Sequence, residues 1–87
     1  MFSKEVTVTN QTGLYARPAT FFIQKANEFR STMMVEKAER KANAKSLLGV
    51  LSLGITKGST ITISAEGPDE TEAVNALCEL IESNFGE

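Results

Sequence analysis

Three places in this 87-residue chain carry side chains whose types and spacing could do chemistry. The first is Gly13-Leu14-Tyr15-Ala16-Arg17-Pro18-Ala19-Thr20, with a strand-like segment running in and an amphipathic helix running out. Gly13 can take the positive φ of a tight turn. Pro18 presets the φ of a first helical turn and lacks only an N–H that would be unpaired there anyway. Arg17 is out of place, because a cation at a helix start opposes the helix dipole by about 0.3–1 kcal/mol. Free helix N–H groups and a guanidinium would together suit an anion; a solvated arginine is the plainer reading, and spacing alone does not choose. The second place is Lys45-Ser46-Leu47-Leu48. Ser46 is a good N-cap whose oxygen can accept from the N–H of Leu48 or Gly49. If Val50 and Leu53 face inward, Leu47, Leu48 and Leu51 cannot all share one narrow stripe with them, so apolar surface stays outside beside Ser46. That surface is either leucine in excess of the core or a docking patch. The third is Cys78, which has no basic neighbour in sequence to stabilise a thiolate and is expected to be a packing thiol.

What is absent narrows the function further. The chain has no histidine, so neither a Ser–His–Asp nor a Cys–His arrangement can be built, and a Cys/His zinc site is excluded. Glu70 and Glu72 sit together at a helix start, where solvation and the dipole already account for them. No enzymatic activity and no cofactor are expected. A composition 41% apolar in 87 residues supports one modest two-layer core, hence a single domain over residues 1–87. The formal charge of −2 counts against direct contact with nucleic acid, whose binding proteins carry a basic footprint. Nothing approaches the roughly 18 apolar residues of a membrane-spanning helix. The start, Met1-Phe2-Ser3-Lys4-Glu5, lacks a basic-then-apolar signal, so a cytoplasmic protein is expected. A lone cysteine rules out an intrachain disulfide and fits a reducing compartment.

The elements that must position these residues follow from periodicity. Phe2, Val6 and Val8 share one parity, giving a half-buried strand over about residues 2–9, with Lys4 as the exception on the apolar side. From about Ala16 to Asn27, Ala19, Phe22, Ile23 and Ala26 make a helical stripe; Phe21 lies off it, where a lone exposed aromatic is common. A second strand is expected over residues 31–37, with Met33 and Val35 inward. Residues 40–43 read as a third strand, short and polar as befits an edge. A short helix covers residues 45–53, and Thr56-Lys57-Gly58-Ser59 is a turn. Residues 60–66 alternate Ile61, Ile63, Ala65 with Thr60, Thr62, Ser64, the clearest strand in the chain. In the last helix, Asp69 is expected to cap and Glu72 to complete a capping box. Ala73, Val74, Leu77 and Ile81 form its core stripe, with Leu80 and Cys78 on the flanks. Gly86 is expected to close the ordered chain.

The segment Gly13-Leu14-Tyr15-Ala16-Arg17-Pro18-Ala19 resembles the active-site signature of HPr, the histidine-containing phosphocarrier of the bacterial sugar phosphotransferase system. That signature reads Gly-(Ile/Leu)-His-(Ala/Thr)-Arg-Pro-Ala, so Tyr15 stands where the family has its phosphoryl-accepting histidine. Asn43-Ala44-Lys45-Ser46-Leu47-Leu48-Gly49-Val50-Leu51-Ser52-Leu53-Gly54 resembles the family's regulatory-serine motif, at the family's own separation, and the resemblance runs through nearly the whole chain. It implies an α+β open-faced sandwich: a four-stranded antiparallel sheet in order 1-4-2-3, three helices on one face, and a hairpin at Ala38-Glu39, where the Asn-Gly or Asp-Gly of a tight turn is missing. It also implies that the exposed face of the first helix, with Thr20, Phe21 and Gln24, meets partners.

The loss of the histidine and retention of the serine resemble the Crh branch of the family. There an HPr kinase/phosphorylase modifies the serine, and the phosphoserine form binds a catabolite control repressor. Carried over by position, Ser46 is the acceptor, Arg17 and Lys45 bracket the phosphate, and Leu47, Leu48 and Leu51 make the apolar contact. Crh proteins usually have glutamine where Tyr15 stands, and residues 49–77 read more like an ordinary HPr. A phosphocarrier HPr whose histidine was lost or replaced is therefore one alternative, with enzyme I and sugar-transport proteins as partners. A non-catalytic interaction domain is the other.

Overall fold

The computed structural model describes residues 1–15 and 17–86. Along the chain run β1 (Phe2–Thr7), α1 (Arg17–Ala26), β2 (Thr32–Lys37), β3 (Arg40–Asn43), α2 (Leu47–Ser52), β4 (Thr60–Glu66), α3 (Glu70–Glu82) and a 3-10 turn, Asn84–Gly86. The strands form one antiparallel sheet in the order β1-β4-β2-β3, as the resemblance implied, with polar β3 at an edge. Ala16, expected to open the first helix, lies outside the described residues. So does Glu87, on which the expectation that Gly86 closes the chain's order rests.

Register explains why the alternation works. Ile63 of β4 faces Lys4 on one side and Val35 on the other, and Val35 in turn faces Ala42. The neighbouring row aligns Phe2, Ala65 and Met33. These rows make one apolar face, on which α3 packs against β1 and β4 while α1 packs against α3 and α2. Phe22, Met33, Val35, Ile63, Val74, Leu77 and Ile81 are fully buried there. Lys4 breaks the pattern for a reason that needs the fold: at the sheet edge its Nζ reaches out to donate to Asn75 Oδ1 of α3 at 3.1 Å. The β2–β3 hairpin turns through Ala38-Glu39 with Lys37 opposite Arg40. Ala38 itself supplies the left-handed conformation, φ +55°, at a cost of about 1–2 kcal/mol, which is why turn chemistry alone gave no signal.

The start of α3 corrects the sequence expectation. Asp69 occupies the N-cap position, but its side chain makes no capping bond. Its Oδ1 instead accepts from Ser31 Oγ at 2.5 Å and Ser31 N at 3.0 Å, and its Oδ2 accepts from Arg30 N at 2.9 Å. Glu72 is exposed, and it is Glu70 that reaches back, Oε1 accepting from Gly67 N at 3.1 Å. The unpaired N–H groups of the α1–β2 connection draw the Asp69 carboxylate away from its own helix. A carboxylate favours several aligned donors, and the two segments are packed side by side.

These bonds hold Asp69 below the usual carboxylate range, the Ser31 hydroxyl contributing most. Because the folded value is lowered, the stabilisation is fully present above the ordinary value of 3.8 and is lost as pH falls through the folded one. Melting temperatures followed by circular dichroism from neutral pH downward are expected to drop in this acid window. Asp69→Asn should melt lower at neutral pH and show a shallower acid slope. An unchanged slope would remove the clamp from the pH dependence.

Candidate functional site

The corner after β1 is built by backbone hydrogen bonds to a distant segment. Past β1, Val8 N donates to Ser59 O at 2.8 Å and Gly58 N to Val8 O at 2.7 Å. The turn at residues 10–13 is closed by Gly13 N donating to Asn10 O at 3.2 Å, and buried Asn10 returns a bond from Nδ2 to Gly13 O at 2.9 Å. Leu14 is buried, and its N–H donates to Ile55 O at 3.0 Å. The corner therefore sits directly on the α2–β4 link. In the sequence Ile55 is marked only as an isolated apolar residue in a polar connection, and the fold buries it. With Leu14 anchored, Tyr15 projects outward and is 67% exposed.

Arg17 is the first residue of α1. Its guanidinium lies 5.9 Å from the centroid of the Phe21 ring, one turn along, a cation–π contact worth about 0.5–1 kcal/mol at an exposed site. That contact offsets part of the unfavourable position of a cation at the helix start. Among the described residues Arg17 has no ion pair, the two present being elsewhere.

On the other side, Ser46 caps α2 as expected: its Oγ accepts from Gly49 N at 3.2 Å, and Val50 N donates to its carbonyl at 3.0 Å. Val50 and Leu53 are buried, while Leu47 and Leu48 are 43% and 81% exposed and Leu51 is half-buried. The excess leucine seen in the sequence thus stands on the surface beside Ser46. Lys45, just before the cap, has a partner of its own. Its Nζ donates to Phe29 O at 2.7 Å, tying the approach to α2 to the end of the α1 segment.

The fold brings the two motifs to one place. An open hollow of about 520 Å³ is lined by Tyr15, Arg17 and Thr20 from the α1 side and by Leu47 and Leu51 from α2. Arg17 is the charged residue of that lining. Phe21 and Gln24 line a separate hollow together with Lys25, Glu28, Leu80 and Phe85, on the seam between α1 and the end of α3. Ser46, Leu48 and Lys45 line neither. Cys78 is buried in α3; burial pushes its thiol up, and the ammonium of Lys4, which the fold brings near, only partly counters this. No group of three or more His, Cys, Asp or Glu side chains among the described residues could hold a metal ion. No helix among them is long and apolar enough to cross a membrane.

A family profile described as "PTS HPr component phosphorylation site" matches residues 2–83. The chain belongs to the HPr family. Among curated relatives of this HPr-like protein is the HPr-like protein Crh of Halalkalibacterium halodurans, 52% identical over 94% of this chain and 98% of the relative. The HPr-like protein Crh of Bacillus subtilis (strain 168) is 43% identical over 94% of this chain and 96% of the relative. A crystal structure of HPr-C-His from Thermoanaerobacter tengcongensis superposes with a TM-score of 0.99 at 50% identity, covering 100% of this chain and 98% of that one. HPr and Crh are phosphocarrier or regulatory proteins, so the family implies phosphotransferase-system or regulatory partners in general.

Proposed function

We propose that this HPr-like protein is a regulatory member of its family. An HPr kinase/phosphorylase transfers a phosphoryl group to Ser46 Oγ, and the phosphorylated form serves as corepressor for a catabolite control repressor in the cytoplasm. Histidine phosphotransfer is absent because Tyr15 replaces the histidine. The observation that carries this reading is the contrast between the two motifs. Ser46 keeps its hydroxyl, half-buried as the cap of α2, with Leu47 and Leu48 exposed beside it, while position 15 offers a phenol and no ring nitrogen. A phosphohistidine is a high-energy phosphoramidate that can be passed on; a tyrosine phosphate ester is far more stable. The relatives named Crh favour the same branch.

A phosphate on Ser46 adds about −1.5 to −2 charges at a helix start, where an anion is favoured by roughly 0.3–1 kcal/mol. The fold should therefore survive the modification. Its larger effect is on recognition: a partner must offer basic groups for the phosphate and an apolar pocket for Leu48. Arg17, without an ion pair among the described residues, is available to the same anion. Lys45 would join it only by leaving the Phe29 carbonyl.

Charge-assisted contacts are worth about 1.5–3 kcal/mol each, so one or two separate the two forms by at least about tenfold in affinity. The test is titration of a catabolite control repressor with Ser46-phosphorylated protein, unmodified protein and Ser46→Ala. Binding by the phosphorylated form alone, weakened by Leu48→Ala, is expected. Equal binding by all three would leave a plain interaction domain in its place.

A further inference from the structure

Loss of the histidine has two separable consequences, and the geometry distinguishes them. Removing a nucleophile while keeping the docking surface would produce a dead-end competitor, a protein that occupies the phosphoryl donor and returns nothing. The docking elements are largely present: Arg17, Thr20, Phe21 and Gln24 are all exposed on α1. Arg17 is poised over Phe21 without an ion pair among the described residues, and the Leu14–Ile55 bond holds the corner in place. On that surface Tyr15 stands 67% exposed at the hollow it shares with Arg17, Thr20, Leu47 and Leu51.

We propose that Tyr15 is a specificity-determining residue that keeps the phosphohistidine donor from docking, beyond its failure to accept phosphate. The inference rests on the non-transferring reading above. Phosphoryl transfer requires donor and acceptor to approach to about 3–3.5 Å, so a donor face that fits this corner comes into contact with residue 15 itself. A phenol is longer than an imidazole and carries its hydroxyl at the far end. It therefore stands in the space the donor's phosphorylated ring must enter. Leu14, buried just before it, holds the chain at the corner, and the Tyr15 ring stays on the outer side. Specificity of this kind comes from an obstacle placed against the wrong partner as much as from contacts to the right one.

The experiment is competition. Phosphoryl transfer from enzyme I to a histidine-bearing HPr is followed with the unaltered protein, Tyr15→Ala or Tyr15→Phe as the added competitor. Tyr15→Ala removes the obstacle without creating an acceptor and is expected to inhibit at a concentration at least tenfold lower than the unaltered protein. Tyr15→Phe retains the ring and should behave like the unaltered protein. Inhibition by the unaltered protein as strong as by Tyr15→Ala would overturn the proposal, as would failure of all three to inhibit, since no docking would then exist to prevent. Because the repressor is absent from this assay, such a failure is distinct from failure of the Ser46 reading. That reading falls instead if the phosphorylated and unmodified proteins bind the repressor equally.

Discussion

Tyr15→His is expected to take up phosphate from phosphoenolpyruvate through enzyme I, while the unaltered protein takes up none. Features of the described residues around position 15 favour such a transfer. The turn at residues 10–13 and the Leu14–Ile55 bond set the backbone. Pro18 and Ala19 are buried and fix the direction of α1. Arg17 carries a guanidinium engaged only with the Phe21 face among the described residues, free to hold the incoming phosphoryl oxygens. An imidazole at position 15 adds a nitrogen nucleophile that is largely unprotonated near neutral pH and removes the reach of the phenol. The contrast should be close to all-or-none. Labelled phosphoenolpyruvate and catalytic enzyme I would give near-stoichiometric, acid-labile label on Tyr15→His and none on the parent. Label on the parent would mean that Tyr15 or another group is a carrier after all. No label on Tyr15→His would mean that the corner has diverged in more than its nucleophile.

Gly13→Ala should be the most damaging single methyl addition at the site. Gly13 has φ +62°, which costs an L-residue about 1–2 kcal/mol. Its Cβ would also run into the Ile55 carbonyl and the Thr56 Cα, which are backbone atoms and cannot rotate aside. Relief requires the corner to lift off the α2–β4 link and break the Leu14–Ile55 bond. A total of about 3–5 kcal/mol is expected from strain, overpacking and the lost bond. Domains of this size are stable by only about 5–10 kcal/mol. Gly54 provides an internal control: it has the same φ, +62°, but a Cβ there would meet nothing within 4 Å. Gly54→Ala should therefore show the conformational cost alone, about 1–2 kcal/mol. Urea denaturation of both variants separates the two effects, and equal losses would contradict the contact argument. In whatever fraction of Gly13→Ala remains folded, Tyr15 and Arg17 should no longer face Leu47 and Leu51 as they do now.

The elements of this protein are legible in its sequence because burial periodicity is a local property. The alternation of Ile61, Ile63 and Ala65 reads as a strand wherever the chain places it. The i, i+3, i+4 spacing of Ala73, Val74, Leu77 and Ile81 likewise reads as a buried helical stripe, and all of these side chains are buried. Ser46 as a cap is legible for the same reason, since its bond reaches only to Gly49. The surplus of leucine over core could be counted beside it, and the two motifs identify the family.

Long-range partners decided the rest. Asp69 and Glu72 have the spacing of a capping box, yet the Asp69 carboxylate is taken by Ser31 and Arg30, 38 and 39 residues away. A carboxylate goes to the strongest set of unpaired donors within reach, and reach is set by packing. Lys45 follows the same rule in binding Phe29 O, and Lys4 in crossing to Asn75. Convergence is the least local property of all. That Tyr15, Arg17 and Thr20 share one hollow with Leu47 and Leu51, while Phe21 and Gln24 turn to another, depends on α1 and α2 meeting above the sheet and on the turn at Gly13 resting against Ile55, contacts that no spacing along the chain encodes.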